Sequence, residues 1–361
     1  MSERKGVGSA VVGYLRHIFI DGLSGMALGL FATLIVGTIL AQVAAFFHGS
    51  LGFYIGAAAS LAKALTGAGI GVGVASKFKR APLVVVSSGV AGFVGAFSSK
   101  LIAGAVLVDG AVQLVGPGEP LGAFLAAFVA AELGGLVSGK TKLDILLTPV
   151  VAIAGGSAVG LLIGTPISNM MTALGNLINW GTVQQPILMG IVVSVLMGMA
   201  LTLPISSAAI GVILGLSGIA AGAACAGCSA QMIGFAVMSF RENRFGGLVA
   251  QGVGTSMLQM PNIVKRPLVW LPPIVASAVL GPVTTLLSVQ CNATGAGMGT
   301  SGLIGPIMTY QTMIEAGKSP TVVLIEIAAL FFVGPALLTL AVSEPMRRAG
   351  LIRPGDLKLD V

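Results

Sequence analysis

The charged side chains of this chain fall into short clusters, and the text between the clusters is apolar for stretches long enough to cross a bilayer. That spacing leaves few folds open. A helix of roughly 20 apolar residues spans the hydrocarbon core. In lipid, only helices and closed barrels satisfy their own backbone. Charged residues make up 9% of the chain and hydrophobic ones 55%, whereas a soluble domain carries about 25% charged residues. The predicted fold class is therefore all-α, a polytopic transmembrane bundle. A length of 361 residues allows about ten spans with short loops.

The net charge of +7 does not argue for nucleic acid, because the bases sit between apolar runs. Arg4, Lys5 and Arg16 form one group, Lys77, Lys79 and Arg80 another, and Lys140 and Lys142 a third. Arg241 and Arg244, Lys265 and Arg266, and Arg347, Arg348 and Arg353 follow. Such clusters mark cytoplasmic loops. The loop 108–119 carries Asp109 and Glu119 without a base, and 166–186 carries no charge, so both are expected outside and both termini inside. The N-terminal apolar run is too long for a signal core, and the start is expected to stay uncleaved. Cys225, Cys228 and Cys291 imply no disulfide framework.

Spans are expected at about 25–47, 51–76, 82–108, 121–139, 145–165, 186–203, 267–289 and 322–342. Between them, 166–184 alternates differently. Ile167, Met170, Met171, Leu174, Leu177 and Ile178 share one helical face, and Ser168, Asn169, Thr172, Asn176 and Asn179 share the other. This reads as an amphipathic helix lying in the interface. Residues 205–218 and 219–240 read as two short apolar pieces rich in small residues. The segment from Gly246 to Asn262 is too polar to face lipid. The chain is expected to form a single integral membrane domain over 1–361, with a cytoplasmic start (1–17) and tail (344–361).

Two regions break the helical text with polar and glycine residues. The first is "NATGAGMGTSG", 292–302, whose Gly297, Gly299 and Gly302 match a dinucleotide fingerprint. That reading requires a strand, a helix and a nearby acid in a soluble unit, and a proline-broken span precedes the motif instead. Free backbone at membrane depth is costly unless protein or a wet cavity meets it, and transporters place broken helices at their binding sites. Asn292, Thr294, Gly297, Gly299, Thr300 and Ser301 are therefore candidate ligands for a small polar solute; the bland alternative is a packing turn. The second region, 202–235, contributes Ser206, Ser207 and Gln231. Glu132 joins them, since an ionisable group within a span is a functional candidate. Cys225-x-x-Cys228 lacks a second ligand pair, so no metal is expected and small-residue packing explains it. No paired His and carboxylate set points to catalysis, and no cofactor is expected.

The stretches "KLDILLTPVVAIAGGSAVGLLIGTPISNMMTALGNLINW" and "ILMGIVVSVLMGMALTLPISSAA" resemble the membrane IIC subunits of bacterial sugar phosphotransferase systems, the fructose and mannitol branch above all. "GFAVMSFRENRFGGLVAQGVGTSMLQMPNI" and "NATGAGMGTSGLIGPI" are similar to a IIC-like family with members labelled perfringolysin O regulators. The resemblance implies a homodimer in the bacterial cytoplasmic membrane, with about ten spans and two re-entrant hairpins around a midplane site. It also implies sugar uptake coupled to phosphoryl transfer by IIA and IIB partners. The sequence contains no IIA or IIB domain and lacks a Gly-Ile-Thr-Glu type motif. A permease for a small polar solute, a sugar among the candidates, is the leading expectation. A membrane-bound regulator that keeps the fold without transport is the alternative.

Overall fold

The computed structural model describes Tyr14 and residues 17–108, 111–113, 116–182, 184–205 and 207–359. Apart from a two-residue ladder between β1 (Leu107–Val108) and β2 (Ala111–Val112), the regular structure among the described residues is helical. Six helices are long and apolar enough to cross a membrane, or seven if the bent pair Ser50–Ala64 and Thr66–Lys77 is one span. Two more apolar helices, Pro82–Ala96 and Pro186–Thr202, are shorter.

In chain order the elements used below are α1 (His17–Ala44), α2 (Ser50–Ala64), α3 (Thr66–Lys77), α4 (Pro82–Ala96), α5 (Pro120–Val137), α6 (Asp144–Thr182), α7 (Pro186–Thr202), α8 (Ser207–Ile213), α9 (Gly218–Met238), α10 (Phe240–Val249), α11 (Met260–Lys265), α12 (Leu271–Leu286), α13 (Ala293–Ala296), α14 (Ile304–Glu315) and α15 (Pro320–Arg348). They condense into two compact units. One gathers Met1–Leu34 with Ser60–Ile167, the other Ile35–Ala59 with Ser168–Asp360.

In the first unit, small residues let backbones touch, the device that membrane helices use in place of a hydrophobic drive. Gly25 on α1 lies against Val74 of α3, where an added Cβ would stand 2.7 Å from a backbone carbon. Gly67 on α3 meets Gly92 on α4, and Gly95 on α4 meets Gly122 on α5. Gly156 on α6 faces the Ala126 carbonyl, and Ala91, Ala130 and Ala152 bury one another beside it.

The second unit is built around α9, the most buried of the helices of spanning length. Sequence patterning reads 219–240 as a short piece, yet the run forms a full span of 21 residues. From Ala220 to Ala230 it carries only Ala, Gly, Cys and Ser, the small side chains that a helix enclosed by neighbours requires. Gly227 of α9 packs on the Ser194 backbone of α7, and Gly198 of α7 packs back on Gly227. Gly190 of α7 in turn meets Pro282 and Thr285 of α12. At one end, Phe235 and Met238 join Ile263, Val269, Met346, Ile352 and Leu357 in an apolar cluster.

Two further differences from the sequence reading matter. Residues 145–165 and 166–184 were expected as a span followed by a separate interfacial helix, but α6 runs unbroken for 39 residues with Pro149 and Pro166 inside it. Its part of spanning character is Asp144–Ile167, 24 residues. On the expected apolar face Ile178 is buried, while Met170 and Leu177 are exposed. The polar tail also begins later than its composition suggests: α15 continues to Arg348, and the segment after it is docked rather than loose, with Ile352 and Leu357 buried.

Candidate functional site

The two broken regions that the sequence marks separately meet in the second unit. Cys291 and Gly218 form an isolated antiparallel bridge, with the Cys291 N–H donating to the Gly218 carbonyl at 3.1 Å. Asn292 then caps the one-turn helix α13, its Oδ1 accepting from the Gly295 N–H at 3.0 Å. An Asn at this position satisfies one of the orphan donors of a helix start. The chain cannot continue as a helix through four closely spaced glycines, each about 1 kcal/mol worse than Ala in a helix. It turns instead through Gly297–Thr300, makes a 3-10 turn at Ser301–Leu303 and enters α14.

The glycines are there because other backbone lies against them. At Gly297 an added Cβ would collide with the Ser207 backbone of α8 and stand 2.8 Å from the Ala208 Cα. At Gly299 it would stand 2.7 Å from the Cys228 carbonyl carbon and the Ser229 nitrogen of α9. The backbone turns left-handed here too. Gly299 and Gly302 both have φ of +52°, and Leu303, a γ-branched residue, has φ of +60°. Left-handed backbone at a residue with a side chain costs of order 1–2 kcal/mol and gathers at functional sites.

The candidate side chains divide by what they touch. The Ser207 hydroxyl donates to the Gly297 carbonyl at 2.7 Å and ties α8 to the glycine stretch. The Thr300 hydroxyl donates to the Gly252 carbonyl at 2.6 Å. Ser301 is buried beside it. Gln231 is wholly buried on α9, where an unpaired amide would cost a few kcal/mol. Its Oε1 accepts from the Trp270 indole N–H at 2.8 Å, and the Thr202 hydroxyl lies 3.3 Å away. Its Nε2 reaches the Ser277 hydroxyl at 3.5 Å. Thr294 is exposed, and Asn292 is half-buried with its amide nitrogen 3.3 Å from the Met308 sulfur. The stretch thus exposes Thr294, leaves Asn292 half-buried with both ends of its amide engaged locally, and keeps Ser207, Thr300 and Gln231 as internal ties with Ser301 buried among them. Ser206 lies outside the described residues.

Glu132 belongs to the first unit. It has partners that the sequence does not suggest, since α5 carries no base. Arg80, from the α3–α4 turn, donates to its Oε1 at 2.6 Å, and the His17 Nε2 stands 3.2 Å from the same oxygen. Asp21 lies 3.5 Å from the other ring nitrogen of His17, and the Phe78 ring is tilted against the imidazole at 3.9 Å between centroids. Gly135, one turn on from Glu132, leaves the space that the Arg80 guanidinium fills: an added Cβ there would stand 2.7 Å from its central carbon. His17 is thus part of a cluster with Asp21, Arg80 and Glu132.

Sequence reasoning also undervalued the segment after α10. It recognised the polarity of Gln251, Ser256, Gln259 and Asn262 without giving them a role. All four are buried, and Gly252 and Ser256 sit directly behind Thr300 and Thr202. Their signal was there to find, as amides and hydroxyls too frequent for lipid and too apolar in their neighbours for a loop. Among the described residues no group of three or more His, Cys, Asp or Glu side chains is arranged to hold a metal.

Several apolar helices of spanning length, tied by small-residue contacts and interrupted at two glycine-rich breaks, define a multi-pass membrane protein. The phosphotransferase system EIIC family matches residues 20–359, and the chain belongs to that family. No curated protein matches the chain. The family places it in a lipid membrane and supports a permease-like role in a sugar phosphotransferase system.

Proposed function

We propose that the chain is an EIIC-type permease that binds a small polar solute, sugars first among the candidates, where the 292–302 stretch meets α8. The observation that carries this is the junction itself: two non-helical breaks, fastened by the Ser207–Gly297 bond and the Gly218–Cys291 bridge, within an apolar bundle. Broken helices with free polar groups are how transporters hold cargo, and strained backbone at Leu303 fits a site held ready by its surroundings. Asn292, Thr294 and the backbone beside them would touch the solute. Gly297, Gly299, Thr300, Ser301, Ser206, Ser207 and Gln231 would frame it. Glu132 would meet a solute through the carboxylate oxygen that Arg80 and His17 do not hold. The match over both compact units supports a single IIC-like domain with the breaks as re-entrant hairpins. The rest of the proposal is a homodimer in a bacterial inner membrane, both termini cytoplasmic, with separate IIA and IIB proteins supplying any phosphoryl transfer.

The internal hydrogen bonding of Ser207, Thr300 and Gln231 favours a second reading, a membrane regulator that keeps the fold without transport. A thermal-shift screen of the purified protein against sugars, sugar acids and amino acids separates the two. A hit should bind Asn292→Ala and Thr294→Val about tenfold more weakly, the loss expected for one hydrogen bond left unmade. A hit that binds both variants as it binds the wild type moves the site elsewhere. The absence of any hit from such a panel favours the regulator.

A further inference from the structure

The C-terminal segment 351–359 is held by side-chain amides that read its backbone. Asn243, on α10, donates from Nδ2 to the Leu357 carbonyl at 2.8 Å and accepts the Leu359 N–H on Oδ1 at 2.9 Å. It pairs with the tail as a neighbouring strand would. Gln259 donates to the same Leu357 carbonyl at 3.0 Å, and Asn262 donates to the Lys358 carbonyl at 2.9 Å. Behind this row the amides are linked to one another. Asn262 donates to the Gln259 Oε1 at 2.8 Å, and Gln259 donates to the Gln251 Oε1 at 2.8 Å. Gln251 spends its own amide hydrogens on the Ser239 hydroxyl and the Gly247 carbonyl, each at 2.9 Å.

The next residue along, Gly252, is the acceptor for Thr300. Four residues further, the Ser256 hydroxyl lies 2.8 Å from that of Thr202, which reaches Gln231. The segment 250–259 therefore touches the tail on one side and Thr300 on the other, and it reaches Gln231 through Thr202. From Gln259 through Gln251 and Gly252 to Thr300 every link is buried, and removing one polar partner leaves its neighbour unsatisfied, which costs more than the bond itself contributes.

We infer that Gln251 and Gln259 are positioning residues for the glycine stretch, and that the docked C-terminal segment is the intramolecular ligand that sets them. The tail does not touch Thr300. It fixes Gln259, Gln259 fixes Gln251, and the backbone beside Gln251 presents the carbonyl that anchors Thr300. The mechanical link stands on the hydrogen bonds alone; its effect on solute binding rests on the site proposed above.

Hydrogen exchange on the detergent-purified full chain tests the link without any solute. In Gln259→Leu, amides at 297–303 should exchange about tenfold faster, as expected when one buried hydrogen bond is lost. Those of α4, which makes none of these bonds, should keep their wild-type rates. Thr300→Val should speed the same amides, and Thr300→Ser, which keeps the hydroxyl, should not. Adding Gln259→Leu to Thr300→Val should change little more, because both cut one path. A chain ending at residue 350 should reproduce Gln259→Leu; if that chain does not fold, Asn243→Ala, which releases the tail from one side, replaces it. Faster exchange confined to 250–262, or additive effects of the two substitutions at 297–303, would overturn the inference. Faster exchange at 297–303 with unchanged binding of a solute found by screening would uphold the link and count against the proposed site.

Discussion

Gly299→Ala is the sharpest test of what the glycine stretch does. The residue has φ of +52°, a conformation that costs an L-residue with a side chain about 1–2 kcal/mol. The added methyl would stand 2.7 Å from the carbonyl carbon and Cβ of Cys228 and from the nitrogen of Ser229. Two of those three atoms are backbone, on a helix enclosed by its neighbours, so neither side can move away cheaply. Overpacking of this kind costs about 1–3 kcal/mol. The sum, about 2–5 kcal/mol, is a large share of the 5–15 kcal/mol that typically separates folded from unfolded chains. Two other glycines isolate the components. Gly215 has φ of +59° with nothing within 4 Å of an added Cβ, so Gly215→Ala should lose only the conformational 1–2 kcal/mol or so. Gly246 is exposed on α10, also with nothing within 4 Å, and Gly246→Ala should gain up to ~1 kcal/mol from helix propensity. Equilibrium unfolding of the three variants in mixed micelles, at one temperature and protein concentration, gives the order. If Gly299→Ala costs no more than Gly215→Ala, close backbone approach to α9 is not what the stretch is built for.

Glu132→Gln should fold and lose about 1–3 kcal/mol, the worth of a hydrogen bond to a charged partner, because it leaves Arg80 facing a neutral amide where it now sits 2.6 Å from a carboxylate. Arg80→Gln in the same chain should recover part of that loss, and strict additivity of the two changes would show that the pair is not coupled. For orientation, a cysteine at the exposed Gln113 should react with an impermeant maleimide added outside cells, and one at the exposed Lys140 should react only after permeabilisation. The three native cysteines are buried and should stay silent; the opposite pattern at the two new positions reverses the proposed topology.

Much of the fold is legible in the sequence because a bilayer is a simple solvent. It demands long apolar helices, so the spans at 25–47, 121–139 and 267–289 could be placed from hydropathy, and α1, α5 and α12 lie there. It penalises free backbone, so the break at 292–302 was visible as glycine and hydroxyl text where helix would be expected. Hydropathy is blind to enclosure, however. It took α9 for a short piece because Gly, Ala, Ser and Cys score as weakly apolar, although a helix surrounded by other helices needs smallness more than oiliness. It also placed Pro166 at a helix end, yet α6 continues through it.

The sequence by itself determined the class of protein, the approximate places of most spans and the two segments that could not be ordinary helix, because each follows from the local cost of exposing polar backbone to lipid. Only the tertiary structure decided which groups meet. Glu132 pairs with Arg80 and His17, 52 and 115 positions away in the chain. Ser207 ties to Gly297 across 90 positions, and Gln259 reaches the tail across 98. Such partners carry no local signature. A hydrogen bond between distant residues is set by how helices pack, and that packing depends on small residues whose positions say that something is close without saying what.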